Sequence, residues 1–335
     1  MDNLWVWQYL PKAFCFLTFL VNPIFVYLIF SEKTVKFGNY RFLLLYFATF
    51  NLIYSLVTVI IPMDIHSYRY CFYLISNGGW FVELSDLNTH ILAARCSIVV
   101  CSYAILLSHF IYRFLVVHNS SLTRENFHFY MTGSLFINFL YYGSWHLVNL
   151  VTFSDNNQKL QVCYFLGSAN PEMRQYVRKE IREIYGADAM DFNMIGALYQ
   201  EGSDSTVIRS WLAVSFWISV STLSIITFFV LARMIVYKLN KLTANISRKT
   251  SNFQVELLRA LVVQTVIPIF ISFSPCVLCW VTPIFGVQLP RGLNYVEVSA
   301  LGVFAFVDPI AITLCIPVFR KRIFCRSSRK QKNST

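Results

Sequence analysis

The side chains in this sequence that could do chemistry are scattered, and none has the spacing of a known catalytic motif. The sequence contains no GxxxxGKS or GxxxxGKT phosphate loop, no HExxH zinc motif and no GxSxG nucleophile turn. Cys276 and Cys279 form a single CxxC, but a zinc site of four thiolates needs a second pair, and these two stand in an apolar segment. The sequence therefore predicts no catalytic residue, no metal site and no cofactor.

Ionisable side chains inside apolar stretches are more informative. Of the 28 basic and 17 acidic residues, only Lys12, Arg95, Arg259, Glu297 and Asp308 stand in such stretches. A charge in lipid is costly, so such residues usually face the interior of a helix bundle or a cavity. Lys12 and Arg259 lie near the ends of their stretches and can extend to water. Arg95 lies deeper, and two alternatives are open: it pairs with Glu297, or it extends to water alone.

The stretches that contain these residues are long enough to cross a bilayer. The 335-residue chain is 56% hydrophobic and 13% charged, whereas an average soluble domain is about 25% charged. Because ~20 apolar residues cross a bilayer as a helix, the sequence predicts an all-α membrane protein whose single domain is a seven-transmembrane helix bundle. The predicted spans are residues 10–30, 42–62, 91–112, 129–151, 210–232, 257–283 and 296–318.

The positions of Lys and Arg predict how this bundle is oriented. The loops on one face carry 17 of them, and the loops on the other face carry 2 when the long loop 152–209 is left out. Because cytoplasmic loops carry the excess, the N-terminus is expected outside and the basic tail, residues 319–335, inside. The net charge of +11 follows from this topology and suits anionic membrane lipid and a cytoplasmic partner, not nucleic acid.

The long outer loop, residues 152–209, contains one predicted helix. Pro171 and Glu172 are typical of a helix start, and Gly186 is typical of a helix end. The apolar residues between them share one face, as in an amphipathic helix. We expect this helix to lie over the mouth of the bundle, either as a cap on apolar helix ends or as a lid that gates a ligand.

Three cysteines outside the spans are candidates for covalent modification. Cys71 and Cys163 stand in outer loops, where the oxidising side of a membrane permits a disulfide. Either they pair or both remain thiols. Cys325 stands in the basic tail, which is predicted to form an amphipathic helix along the inner membrane surface or, alternatively, a solvated stop-transfer run. Its position makes Cys325 a palmitoylation candidate.

Several short segments, taken in order, resemble a known group of receptors. The third predicted helix ends in HFIYRF, the sixth begins FQVELLRALVVQTVIPIF, and the seventh carries FVDPIAI followed by PVFRKRI. FGNYRFLLLYF opens the second helix, and NPE stands in the long outer loop. By these segments the chain resembles the nematode serpentine chemoreceptors of the Str superfamily, of the Str or Srj type. The resemblance covers essentially the whole chain.

The resemblance implies a G-protein-coupled odorant-type receptor in the plasma membrane, in the sensory cilium of a chemosensory neuron. Tyr112 and Arg113 occupy the place of the acidic–Arg–aromatic triplet of rhodopsin-like receptors, and Asp308 and Pro309 occupy that of the helix-seven switch motif. Tyr112 stands where the acid would be, so an ionic latch made by that acid is not expected. The segment CWVTP is similar to the CWxP toggle but is one residue longer, and we treat the match as chance.

The partners implied are a heterotrimeric G protein and a small, apolar or volatile ligand. The spans are rich in aromatic residues, which suit such a ligand, and the candidate ligand-binding residues are Cys96, Val100 and Tyr103 in the outer half of the third helix. For coupling, the sixth helix is expected to kink at Pro268 and Pro275 and to swing its inner end outward. The residues expected to contact the G protein are Tyr112, Arg113, Arg248, Lys249 and Arg259.

Two other functions are compatible with a membrane bundle of this kind. A ligand-gated odorant channel would also have seven helices, but with its N-terminus inside, which the distribution of basic residues argues against. A small-molecule transporter would favour internal repeats and broken helices with paired charges in the membrane. The two halves of this sequence show no such similarity.

Overall fold

The computed structural model describes residues 4–31, 37–147, 169–242, 248–316, 319–320 and 322–323. These residues are mostly α-helical, and three short strands form one sheet. In chain order the elements are α1 (Leu4–Ser31), α2 (Tyr40–Ile60), β1 (Met63–Tyr68), β2 (Cys71–Ser76), α3 (Asp86–Val117), α4 (Phe127–Leu147), α5 (Pro171–Tyr185), β3 (Met194–Leu198), α6 (Asp204–Leu242), α7 (Arg248–Pro268), α8 (Ser274–Val281) and α9 (Arg291–Cys315).

The long helices follow the predicted spans. Among the described residues, α1, α2, α3, α6 and α9 are long and apolar enough to cross a membrane. The predicted span 129–151 falls on α4, of which the structure describes the part up to Leu147. The predicted span 257–283 is helical throughout, but a π-helical turn interrupts its regular α-helix between α7 and α8.

The π-helical turn between α7 and α8 follows a proline. Pro268 ends α7, and Ile269–Phe273 form one π-helical turn before α8 begins at Ser274. Proline has no backbone N–H and disturbs the helical hydrogen-bond ladder, and π-turns inside helices are frequent at functional sites. The Ile269 carbonyl accepts from the Ser274 N–H and also, at 2.9 Å, from the Ser274 hydroxyl.

The sheet corrects the all-α prediction. It is antiparallel with the order β1-β2-β3, and β1 and β2 form a hairpin whose two-residue turn contains Arg69 with a φ of 51°. The third strand comes from the long loop, and its pairing with β2 runs from Cys71 opposite Leu198 to Ile75 opposite Met194. The sheet therefore joins the segment before α3 to the segment before α6.

Helix α5 confirms the amphipathic helix predicted in the long loop. The side chain of Asn170 caps its first turn by accepting from the Met173 N–H at 2.9 Å, and Gly186 ends it in the left-handed region with a φ of 68°. The helix packs on one face of the sheet, while the other face packs on the ends of the long helices. We call the sheet and α5, residues 63–76 and 171–198, the cap. That end of the bundle is the cap end, and the opposite end is the tail end.

Arg95 follows neither of the two alternatives that the sequence left open, which were a pair with Glu297 and an extension to water. It is 2% exposed, so it does not extend to water, and its guanidinium carbon lies 5.3 Å from the centre of the Tyr54 ring. Within the described residues its Nε and Nη1 have no hydrogen-bond partner. The Cys279 thiol donates to Glu297, so Arg95 and Glu297, whose pairing was one of the two alternatives, take different partners.

Candidate functional site

An apolar cavity of about 70 Å³ lies between the cap and the bundle. Its walls come from α3, α6, α7, α8 and α9, and Met63, Ile65 and Leu74 of the sheet close it at the cap end. One water molecule needs ~10–15 Å³, so the cavity can hold a small organic molecule. The sheet positions this site because one of its faces lies on the cavity and α5 covers the other.

The cavity contains all three residues that the sequence suggested for ligand binding. Cys96, Val100 and Tyr103 stand four and three residues apart, so they share one face of α3, and all three line the cavity. They are nearly inaccessible to solvent, at 4%, 8% and 8% exposure. Their location is established by the structure, and their role in binding a ligand is a proposal.

The aromatic part of the wall includes residues that the sequence pointed to only weakly. Trp217 and Phe228 of α6 lie on one side, and Trp280 of α8 lies near the sheet, with its ring centre 5.9 Å from that of Phe72. Trp280 belongs to the CWVTP segment that we treated as chance. The relevant signal was the tryptophan itself, next to a proline-broken helix, and not the motif spacing.

The polar groups of the wall are a few hydroxyls, the Cys96 thiol and the indole N–H groups of Trp217 and Trp280. Ser102 donates to the Val99 carbonyl at 2.6 Å, and Thr265 donates to the Leu261 carbonyl at 2.8 Å. Because each proton is already used within its own helix, these oxygens can offer only lone pairs to a ligand. No charged residue is among the described residues that line the cavity. The wall therefore suits a neutral, mainly apolar molecule with few hydrogen-bonding groups.

Comparison with known proteins identifies the receptor class. The family model described as "Serpentine type 7TM GPCR chemoreceptor Srj" matches residues 1–323. The chain belongs to the Srj family of serpentine chemoreceptors. It is 59% identical over 319 residues to Serpentine receptor class J-38 of Caenorhabditis elegans, a match that covers 95% of this chain and 92% of that protein.

More distant relatives carry the same kind of name. Two proteins named Serpentine receptor class r-10, from Caenorhabditis briggsae and Caenorhabditis elegans, are each 22% identical to this Srj receptor, over 95% and 92% of its chain and 89% and 87% of theirs. The family result confirms the resemblance noted from the sequence segments. An Srj receptor is a seven-transmembrane membrane protein of a receptor class, not of an enzyme class.

At the tail end of the Srj receptor, Arg113 is buried against an aromatic ring. It is 3% exposed, and its guanidinium carbon lies 3.6 Å from the centre of the Tyr40 ring of α2. The Tyr40 hydroxyl forms a 3.0 Å hydrogen bond with His109 Nδ1, and the Tyr112 ring stacks on Tyr40 at 5.3 Å. In this conformation Arg113 therefore faces α2 and not a partner protein.

The remaining candidate coupling residues lie on α7, and the two candidate switch residues lie on α9. Arg248 and Lys249 fall in the first turn of α7, where the structure describes the backbone only, and Arg259 is exposed on the same helix. Asp308 and Pro309 are buried in α9. Asp308 is 1% exposed, and within the described residues its Oδ1 has no hydrogen-bond partner. Among the described side chains, Arg259 is exposed whereas Arg113, Asp308 and Pro309 are buried, so these four do not form one exposed patch.

The three candidate cysteines are only partly described. Cys71 is fully buried in β2. Cys163 lies outside the described residues, so its pairing with Cys71 stays a prediction. Cys325 also lies outside them, and the same holds for its palmitoylation.

The cap contains a buried polar network that the sequence did not predict. The Tyr185 hydroxyl donates to Asp64 Oδ2 at 2.6 Å and lies 2.7 Å from His66 Nε2, so the proton on Nε2 must point at the tyrosine oxygen. Burial raises the pKa of Asp64, against the lowering effect of the hydrogen bonds from Tyr185 and Asn77. Burial, together with the charge of Arg291, lowers the pKa of His66 to about 4. The network fastens β1 to the end of α5.

Proposed function

We propose that this receptor binds a small, neutral, mainly apolar molecule in the cavity and responds by activating a heterotrimeric G protein at its tail end. The observation that carries the proposal is the apolar cavity itself, whose lining contains the three α3 residues expected from the sequence. Membership of a chemoreceptor family supports a chemical ligand and coupling through a G protein. The ligand class follows from a wall that holds hydroxyl lone pairs and apolar surface.

In this proposal, the π-helical turn after Pro268 couples ligand binding in the cavity to a movement at the tail end. Pro268 and Ile269 line the cavity at the point where the α-helix gives way to the π-turn. A ligand that binds more tightly to one bent conformation of this helix than to another shifts the receptor population toward that conformation. The same helix carries Arg259, Lys249 and Arg248 toward its other end, so a change of bend moves a basic surface.

Arg113 takes part in the coupling step only after it leaves Tyr40. Once exposed, its guanidinium can donate several hydrogen bonds in a fixed fork to backbone carbonyls at the C-terminal end of a Gα helix. That helix end carries a partial negative charge, which favours a cation. Asp308 and Pro309 of α9 are the other candidates for a switch between the two conformations.

We place the cap end outside the cell and the tail end in the cytoplasm. The support is the excess of Lys and Arg in the loops of the tail face, which carry 17 of them, whereas the loops of the cap face carry 2 when the long loop 152–209 is left out. A location in the plasma membrane of a sensory cilium follows from the resemblance to nematode chemoreceptors.

The ligand site is tested with two serine variants on one helix. Ser221 lines the cavity and is 6% exposed, whereas Ser219 stands two residues earlier on the exposed side of α6. The receptor is expressed with a calcium or cAMP readout and screened with a panel of volatile compounds. For any active compound, we expect Ser221→Phe to raise the half-maximal concentration at least tenfold, because the added ring fills the cavity. Ser219→Phe, with the same change of size, is expected to respond like the wild type.

Three results would contradict the proposal. One is an equal effect of the two serine variants at matched surface level. Another is silence of the wild type across a chemically diverse panel when its surface expression is verified. The coupling step fails separately if Arg113→Ala, at matched surface level, shows normal agonist-stimulated nucleotide exchange.

A further inference from the structure

A second cavity, of about 390 Å³, lies at the cap end between the cap and the first turn of α9. We call it the polar vestibule. It shares no lining residue with the apolar cavity among the residues that the structure describes. Its polar lining residues are His66 and Ser67 of β1, Glu180 of α5, Gln288, Arg291 and Asn294.

The vestibule holds one carboxylate and one guanidinium that are only loosely paired. Arg291 Nη2 lies 3.5 Å from Glu180 Oε1, which is longer than the roughly 2.7–2.9 Å of a strong charge-assisted hydrogen bond. Half of the Arg291 side chain is exposed, while that of Glu180 is 18% exposed. Both groups therefore keep hydrogen-bonding capacity for a third molecule.

The other polar groups of the vestibule are neutral and mostly buried. His66 is 3% exposed, and burial, with a further contribution from the charge of Arg291, lowers its pKa to about 4, so its ring is uncharged near neutral pH. Ser67 is 8% exposed, and within the described part of the chain its hydroxyl has no hydrogen-bond partner. A buried hydroxyl without a partner is unfavourable. Its oxygen is almost inaccessible, so a ligand atom in the vestibule satisfies it only once the side chain rotates toward the cavity. Asn294, at 2% exposure, adds a buried amide.

We propose that the polar vestibule binds a small zwitterion of the α-amino acid class, with its ammonium group at Glu180 and its carboxylate at Arg291. A simple anion would be attracted by Arg291 but repelled by Glu180, and a simple cation would meet the reverse. A molecule that carries both charges complements both residues, and the Ser67 hydroxyl bonds one of its polar atoms. This site goes beyond the proposed function, since that function uses only the apolar cavity.

The test is binding to the full-length receptor in lipid nanodiscs, measured as the shift of its thermal unfolding midpoint. The probes are the twenty L-amino acids, each at concentrations up to 10 mM. We expect at least one of them to raise the midpoint in a saturable way. Its N-acetyl derivative, which lacks the ammonium, and its methyl ester, which lacks the carboxylate, should each bind at least tenfold more weakly, because each loses a charge-assisted bond.

Variants locate the binding in the vestibule. Arg291→Gln and Glu180→Gln are each expected to weaken binding of the active amino acid at least tenfold, and Ser67→Ala severalfold. Arg69→Gln is the matched control, because it removes the guanidinium of another exposed cap ion pair, 3.1 Å from Glu201, that lines neither cavity. It should bind like the wild type.

The proposal is overturned if no amino acid shifts the midpoint, if the N-acetyl derivative binds as well as its parent, or if Arg69→Gln weakens binding as much as Arg291→Gln. If a charge variant fails to fold, the derivatives and Ser67→Ala still decide the question. No arm of the test uses a volatile ligand or a G protein. A negative result here therefore leaves the proposed function standing, and the reverse also holds.

Discussion

Arg113 lies against the face of Tyr40, and the residue before it is not the acid found in rhodopsin-like receptors. Tyr112 precedes the arginine and cannot attract it by charge. The ring of Tyr40, 3.6 Å from the guanidinium carbon, supplies the attraction instead. A cation over an aromatic face in a desolvated place contributes about 2 kcal/mol. The contact with this aromatic residue of α2 therefore stabilises the buried position of Arg113.

Replacing Tyr40 by leucine is expected to raise signalling in the absence of ligand. Loss of about 2 kcal/mol from the closed conformation shifts its equilibrium by more than tenfold toward the open one. Tyr40→Phe keeps the ring and loses only the hydrogen bond to His109, so its basal activity should stay near that of the wild type. The measurement is basal nucleotide exchange on a co-expressed G protein at matched surface level. Equal basal activity in the two variants would argue against the role of the ring.

At the residue scale, sequence spacing was sufficient to place residues together only where they all lie on one helix. Cys96, Val100 and Tyr103 share a face of α3, so their common location follows from helical periodicity. The partner of Arg95 did not follow in this way, because Tyr54 lies on another helix, and depth along the membrane normal cannot tell which neighbour a side chain faces. Trp280 was missed for a similar reason, since the π-turn before it changes the direction of its side chain.

Arg174 fastens α5 to the loops that flank it. It is 5% exposed and donates to the backbone carbonyls of Ala169 at 3.0 Å, Ala189 at 2.9 Å and Phe192 at 2.6 Å. We expect Arg174→Met to lower the free energy of opening of α5 by about 2 kcal/mol or more, because three buried carbonyls lose their donor. Lys179→Met, on the exposed side of the same helix, should change it little. Hydrogen exchange of α5 amides measures this, and equal exchange in the two variants would contradict it.

The cap is expected to lose stability in mild acid through His66. The pKa of His66 is about 4 in the folded state against ~6.5 for an unperturbed histidine. Between these values the unfolded chain binds more protons, so this contribution to stability is complete above about pH 6.5 and is lost as the pH falls toward 4. Asp64 acts in the opposite direction, since its pKa is raised on folding.

The variant His66→Gln isolates the histidine contribution. On going from pH 6.5 to 4.5, the wild-type cap should lose up to about 2–3 kcal/mol more of its opening free energy than the variant does. Hydrogen exchange of β1 and β2 amides, corrected for the intrinsic pH dependence of exchange, gives this difference. An identical pH dependence in both proteins would show that His66 does not carry the effect.

The sheet was the element that sequence could not predict. Its strands are buried on both faces, so they lack the alternation of apolar and polar residues that marks a half-exposed strand. The hairpin turn is Arg69–Tyr70, without the glycine or asparagine that usually marks such turns. Helix α5, by contrast, was predicted well, because Pro171, Glu172 and Gly186 supply local start and stop signals.

For the whole molecule, the orientation is the prediction that separates a receptor of this type from an inverted channel. An epitope tag at the N-terminus should be accessible on intact cells, and a tag at the C-terminus should be accessible only after permeabilisation. The sequons that begin at Asn119, Asn245 and Asn333 should then stay unglycosylated. A glycosidase-sensitive shift of the band from any of these three sites would contradict the topology.

The pairing of β2 with β3 also has a consequence for biosynthesis. The hairpin is complete once Ser76 has been made, but its open edge has no partner until residues 194–198 are translated. At about 5–20 residues per second this delay is on the order of ten seconds, during which an apolar strand edge is unprotected and prone to wrong pairing. In the proposed orientation the delay occurs in the lumen of the endoplasmic reticulum. Substitutions in β3 should therefore reduce the number of receptors that leave that compartment before they affect how any single receptor signals.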